Sequence, residues 1–126
     1  MKLTRLGADT LGSSAIEFAL LMPLFMAIIM GIMGSGALMW AQFGLQHGVE
    51  MAARCASIDA STCGTTANIQ KYASQQTYGV DPPDSVFSVS TPSCGYQVIA
   101  SYTYQFLVTD MGLPAITLAA KSCFPK

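Results

Sequence analysis

Few side chains in this sequence could do chemistry, and they are widely spaced. His47 is the only histidine, and no G-x-S-x-G elbow accompanies it, so a catalytic dyad is not expected. Asp59, Asp81, Asp84 and Asp110 fall in turn-forming stretches without the spacing of a calcium loop, and read as exposed turn residues. The four cysteines, Cys55, Cys63, Cys94 and Cys123, lack the paired C-x-x-C spacing of a zinc site. No metal, cofactor or enzymatic activity is therefore expected. Oxidised in pairs, the cysteines allow three pairings. Cys55–Cys63 with Cys94–Cys123 is preferred, because the first bridge is local and the second joins the flanks of segments expected to be neighbouring strands. One acidic residue stands apart. Glu17 opens an apolar run, and a carboxylate at a bilayer centre costs roughly 2.5–3.5 kcal/mol, although one at the start of a span reaches the headgroups.

The element that must hold Glu17 is the run itself. From Phe18 to Val49 there is no charged side chain when His47 is neutral, and "FALLMPLFMAIIMGIMGSGALMW" exceeds the ~20 residues that cross a bilayer. Trp40 closes this stretch, where an indole favours the water interface. Lys2 and Arg5 precede it with only Asp9 in opposition, which places the N-terminus in the cytoplasm and everything after Trp40 outside. The composition agrees. Charged residues make up 10% of the 126 residues, against ~25% in an ordinary globular chain, and hydrophobic residues 52%. Net charge is −1 with no Lys/Arg cluster, so nucleic acid is not an expected partner, whereas membrane lipid is.

The helix is expected to continue past the interface through "AQFGLQHGVEMAARCASI", which lacks proline and carries Glu50 and Arg54 at a supporting i, i+4 spacing. Small residues recur every fourth position, as Ala15, Ala19, Ala27, Gly31 and Ser35 with Pro23 in one slot, and again as Gly44, Gly48, Ala52 and Ala56. Such lines let another helix approach closely. Pro23 removes one helix hydrogen bond and marks a candidate kink.

Beyond the helix, "DASTCGTT" reads as a break, and Thr66 as the cap of a short helix through "ANIQKYASQQTY", ended by Asp81, Pro82, Pro83 and Asp84. Alternation then marks three antiparallel strands, "SVFSVS", "YQVIASYTYQFLV" and "ITLAAKSC", joined by turns at "TPSCG" and "TDMGLPA". The tyrosines of "SYTY" fit either core packing or an adhesive face. The fold class is α+β: a long N-terminal transmembrane helix running on into a small exported module with a short helix and a three-stranded sheet. Three strands and one short helix are marginal alone, so the long helix should lie across the sheet.

Gly12 lies five residues before Glu17, between the polar "MKLTRLGADTLG" and the apolar helix. "GSSAIEFALLMPLF", the glycine-studded stretch and "AQFGLQHGVEMAAR" together resemble the TadE-like family, the pseudopilins or minor pilins of the tight-adherence (Flp) type IV pilus. The resemblance covers roughly residues 11 to 56. It implies cleavage between Gly12 and Ser13 by a prepilin peptidase, a leader of 1–12, a transmembrane helix of 13–40 and an extracytoplasmic module of 41–126 whose residues 41–58 continue the helix. Glu17 and Phe18 become the fifth and sixth mature residues, and the Glu17 carboxylate would neutralise the cationic N-terminus of a neighbouring subunit. Major Flp pilins usually carry Tyr after the glutamate and little beyond the helix. Phe18 and the sizeable module therefore favour the minor class. Implied partners are other Tad pilins and pseudopilins and an inner-membrane assembly platform. The implied place is the bacterial inner membrane, crossed once with the module in the periplasm, and then the pilus at the cell surface. Two other readings stay open: an uncleaved single-pass anchor presenting a binding module to a secretion or envelope complex, and a secreted protein cut after Ala37, where Ser35 and Ala37 meet the small-residue rule.

Overall fold

The computed structural model describes residues 10–106 and 114–126, with side chains from Ser14 onward. The expected leader residues Lys2, Arg5 and Asp9, and most of the turn at "TDMGLPA", lie outside the described residues. Helix α1 spans Thr10–Ile58 and α2 Thr66–Gln76; a 3-10 turn at Asp84–Val86 leads into strands β1, Phe87–Ser90, β2, Tyr96–Tyr104, and β3, Ile116–Phe124. The sheet is antiparallel in the order β1-β2-β3, with Phe87 opposite Ala100 and Ala100 opposite Ala120. The chain is thus α+β, a long N-terminal apolar helix followed by a short helix and a three-stranded sheet. It divides into two units, one up to Gly34 and one of Ser35–Lys126.

In the second unit the C-terminal part of α1 supplies the core that a small sheet lacks. Ala41, Leu45, Val49, Ala52, Ala53 and Ala56 are buried with Ile69 and Ala73 of α2 and with Phe87, Val98, Ala100, Leu118 and Ala120 of the sheet. Burying a side chain such as Leu45, Val49, Val98 or Phe87 fully contributes about 1.5–3 kcal/mol. Two disulfides close the unit, Cys55–Cys63 and Cys94–Cys123, the pairing that the spacing favours.

Helix α1 ends where Asp59 gives the backbone a competing partner. Its carboxylate accepts from the backbone N–H groups of Ser61 and Thr62 at 3.0 and 3.2 Å, and from the Thr62 hydroxyl at 2.7 Å. These bonds, led by the one from the Ser61 hydroxyl, favour the charged form and lower the Asp59 pKa from 3.8 to about 2.

Several boundaries differ from the sequence expectation, with β2 ending at Tyr104 instead of running on through Gln105 and Phe106, and β3 extending one residue to Phe124. The cap of α2 is Thr65, not Thr66: Thr65 is extended, at φ −126°, and its hydroxyl accepts from the Asn68 N–H at 3.2 Å. The helix also stops two residues short of Tyr78, with Thr77 already extended, because Tyr78 and Gly79 turn back onto α1. The first strand starts at Phe87, since Asp84–Val86 is held in a 3-10 turn by the Val86 N–H donating to Pro83 O at 3.0 Å. In the β1–β2 turn Gly95 adopts φ +121° and would place a Cβ 2.1 Å from Phe124 O, so no other residue fits.

Candidate functional site

The residues singled out by the sequence lie along α1 in two different settings. In the first unit, Gly12 and Ser13 fall inside the helix by their backbone, and Glu17, one turn further on, is exposed with Phe18 beside it. Ile16, Leu20, Leu21, Leu24, Phe25 and Ile28 are each more than half exposed. An isolated apolar helix surface of this kind has no place in water, and the Ser14–Ile58 part of α1 is long and apolar enough to cross a membrane. The helix runs without a break in its assignment through Pro23, which cannot donate to the carbonyl of Ala19. Ala27 is exposed, and a Cβ placed on Gly31 would meet nothing within 4 Å.

Gly44 and Gly48 are different. A Cβ on Gly44 would lie 1.7 Å from Tyr78 O, and one on Gly48 would lie 2.6 Å from the Thr77 hydroxyl and 2.8 Å from Ala73 O. This small-residue line is occupied within the chain, by the end of α2 and the turn that follows. Tyr78 then lies between two side chains of α1 in tilted ring contacts, its ring centroid 5.1 Å from Trp40 and 5.6 Å from His47. His47 Nδ1 donates to Gln76 O across 3.0 Å, so the histidine holds the end of α2. Gly79, at φ +77°, faces the Trp40 ring, which a Cβ would approach to 2.3 Å.

The sequence reading missed a set of glutamines. Gln42 and Gln46 of α1 donate to Ala119 O at 2.8 Å and Lys121 O at 3.4 Å, along the outer edge of β3. Gln70 of α2 donates to Phe87 O at 2.6 Å on the opposite edge. Side chains thus occupy both sheet edges, which would otherwise offer unpaired backbone groups to a foreign strand. The signal that could have found the first pair is the i, i+4 spacing of Gln42 and Gln46 on an otherwise apolar stretch. Among the described residues no group of three or more His, Cys, Asp or Glu side chains is gathered that could hold a metal ion.

Residues 12–54 match the family model of TadE-like proteins. Over that segment the chain is similar to TadE-like proteins. The TadE-like match begins at Gly12, takes in Glu17, Phe18 and Pro23, continues through Gly44 and Gly48, and stops just before Cys55. It therefore covers the exposed part of α1 and most of the part that packs on the sheet, and leaves α2 and the strands outside. No curated protein and no solved structure matches the chain.

Proposed function

We propose that this chain is a minor pilin or pseudopilin of a Tad (Flp) type IV pilus, held in the bacterial inner membrane by α1 before assembly and serving surface adherence. Its role is structural. A prepilin peptidase cuts between Gly12 and Ser13, leaving Glu17 as the fifth residue, and the mature chain joins other Tad pilins and pseudopilins at an inner-membrane assembly platform. The N-terminus lies in the cytoplasm and the module in the periplasm, later at the cell surface within the pilus.

The observation that carries this reading is the family match beginning at Gly12, on a helix whose first part is apolar and exposed. A charge pair between the Glu17 carboxylate and a neighbour's Ser13 amine would be strongest in the low dielectric among packed helices, where an unpaired carboxylate is costly. It would therefore set the register of subunits leaving the bilayer. The open face at Gly31 is where a second helix would approach closely.

Intact mass and N-terminal analysis of the protein from native membranes test the cut. A chain starting at Ser13, and one retaining the leader in Gly12→Ala, is expected. A chain still starting at Met1 would leave the uncleaved anchor, and one starting at Leu38 the secreted protein. For assembly, Gly31→Leu should reduce piliation while leaving the module folded.

A further inference from the structure

The module is pinned to α1 in a fixed direction. Gln42 bonds to Ala119 O and Gln46 to Lys121 O, so four residues of helix rise, about 6 Å, match two residues of strand, about 7 Å. Ser57 donates to Pro125 O further along in the same sense. Strand β3 therefore runs parallel to α1, and its first residues lie toward the N-terminal side of Gln42. Ile116, three residues before Ala119, stands about 10 Å back along that direction. Trp40 stands only about 3 Å back. Tyr104 pairs with Ile116 and shares its level, and Phe106 follows with its ring 5.4 Å from that of Tyr104, edge to face.

Tyr104 and Ile116 thus stand at least as far to the N-terminal side of Gln42 as Trp40 does. Tyr78, in tilted ring contact with Trp40 and His47, adds a further aromatic beside Trp40. Trp40 is 60% exposed, Tyr78 39% and Ile116 38%. Among the described residues, neither Leu38–Phe43, Thr103–Phe106 nor Pro114–Leu118 contains a charged side chain. The described residues of this end are uncharged and rich in tyrosine, tryptophan and phenylalanine, the chemistry of the headgroup–acyl boundary, a layer roughly 5–7 Å deep on each side of a bilayer.

We propose that the end of the module formed by Trp40, Tyr78, Tyr104, Phe106 and Ile116 docks on the lipid surface from which α1 emerges. The hairpin, and not the helix alone, then seats the module on the membrane. The occupant is the neutral headgroup–acyl boundary, not anionic lipid, because none of the described residues at this end is cationic. The proposal rests on the reading of α1 as a membrane span.

The test uses the full chain in phosphatidylcholine vesicles carrying lipid brominated near the top of the acyl chains, a quencher of nearby indoles. Trp40 is the single tryptophan and reports on the span. Two variants, each in a Trp40→Phe background, report on the hairpin: Phe106→Trp, and Tyr104→Trp should the first fail to fold. The expected result is a loss of emission comparable with that of Trp40 and insensitive to added salt. If Trp40 is quenched while the hairpin indoles stay bright and open to aqueous iodide, the module stands off the bilayer and the proposal falls. If they stay bright yet shielded from iodide, another protein surface covers them, and it falls equally. Absence of quenching at Trp40 as well would overturn the membrane-spanning reading along with it.

Discussion

Two stretches of α1 carry similar apolar side chains in opposite surroundings. Between Ile16 and Met33 most of the large apolar residues are exposed, with Leu24 at 60%. Between Ala41 and Ala56 six apolar residues are buried against α2 and the sheet, with Leu45 at 0%. The difference lies in what interrupts the apolar residues. From Phe18 onward the first stretch is apolar on every side, a pattern that suits lipid. The second sets Gln42, Gln46, His47, Glu50 and Arg54 among its apolar positions, and the first three of these bind the sheet or α2. One helix thus serves two solvents, lipid at one end and a protein core at the other.

The largest expected effect separates the two stretches directly. Leu45→Ala should destabilise the module by about 2.7–5.0 kcal/mol through lost burial and a residual cavity, whereas Leu24→Ala should leave it nearly unchanged. Chemical denaturation of the detergent-solubilised chain, followed by near-ultraviolet circular dichroism, reads both. Next come the bridges that hold the second unit. Replacing Cys94 and Cys123 by Ala opens a link across 29 residues and should cost about 3.6 kcal/mol, against about 2.5 kcal/mol for Cys55 and Cys63 across 8.

The glycines sharpen the comparison by sign. Gly44→Ala forces a Cβ onto Tyr78 O and should cost about 1–3 kcal/mol by overpacking. Gly31→Ala meets nothing and should gain about 1 kcal/mol of helix propensity, with no loss in module stability. Equal effects at the two positions would mean that they share one environment.

The smallest effect lies at the end of the buried stretch. The Asp59 pKa is depressed in the folded chain, so its contribution is fully present above the unfolded value of 3.8 and disappears as pH falls through about 2. Hydrogen exchange at the Ser61 and Thr62 amides, relative to the intrinsic rate, should stay slow above about pH 4 and lose protection progressively as pH falls through about 2; Asp59→Asn should remove the pH dependence.

Much of this fold was legible in the sequence because its signals were of the simplest kind. The uncharged run from Phe18, the proline-free continuation and the alternation in "VIASYTY" specify a long helix and a sheet. Where the sequence fell short, one local pattern served two different contacts. The lines through Gly31 and Gly44 have the same spacing, yet only the second meets residues of the same chain, and no local rule says which. Adjacent Thr65 and Thr66 were equally good caps by type, and the choice lay in the extended backbone of Thr65. Tyr78 suited the helix by position, but the rings of Trp40 and His47 drew it out of α2. Of the candidate site, the TadE-like resemblance was visible from Gly12 onward, whereas the glutamines on the sheet edges emerged only with the strands in place.

The claim that α1 divides between lipid and core is tested most directly by photolabelling. The full chain would be reconstituted with a lipid bearing a diazirine in its acyl chain, irradiated, digested and mapped by mass spectrometry. Label on Phe18–Trp40, with Leu45 and Val49 spared, is the expected result. Label on Leu45 and Val49, or none between Phe18 and Trp40, would contradict it.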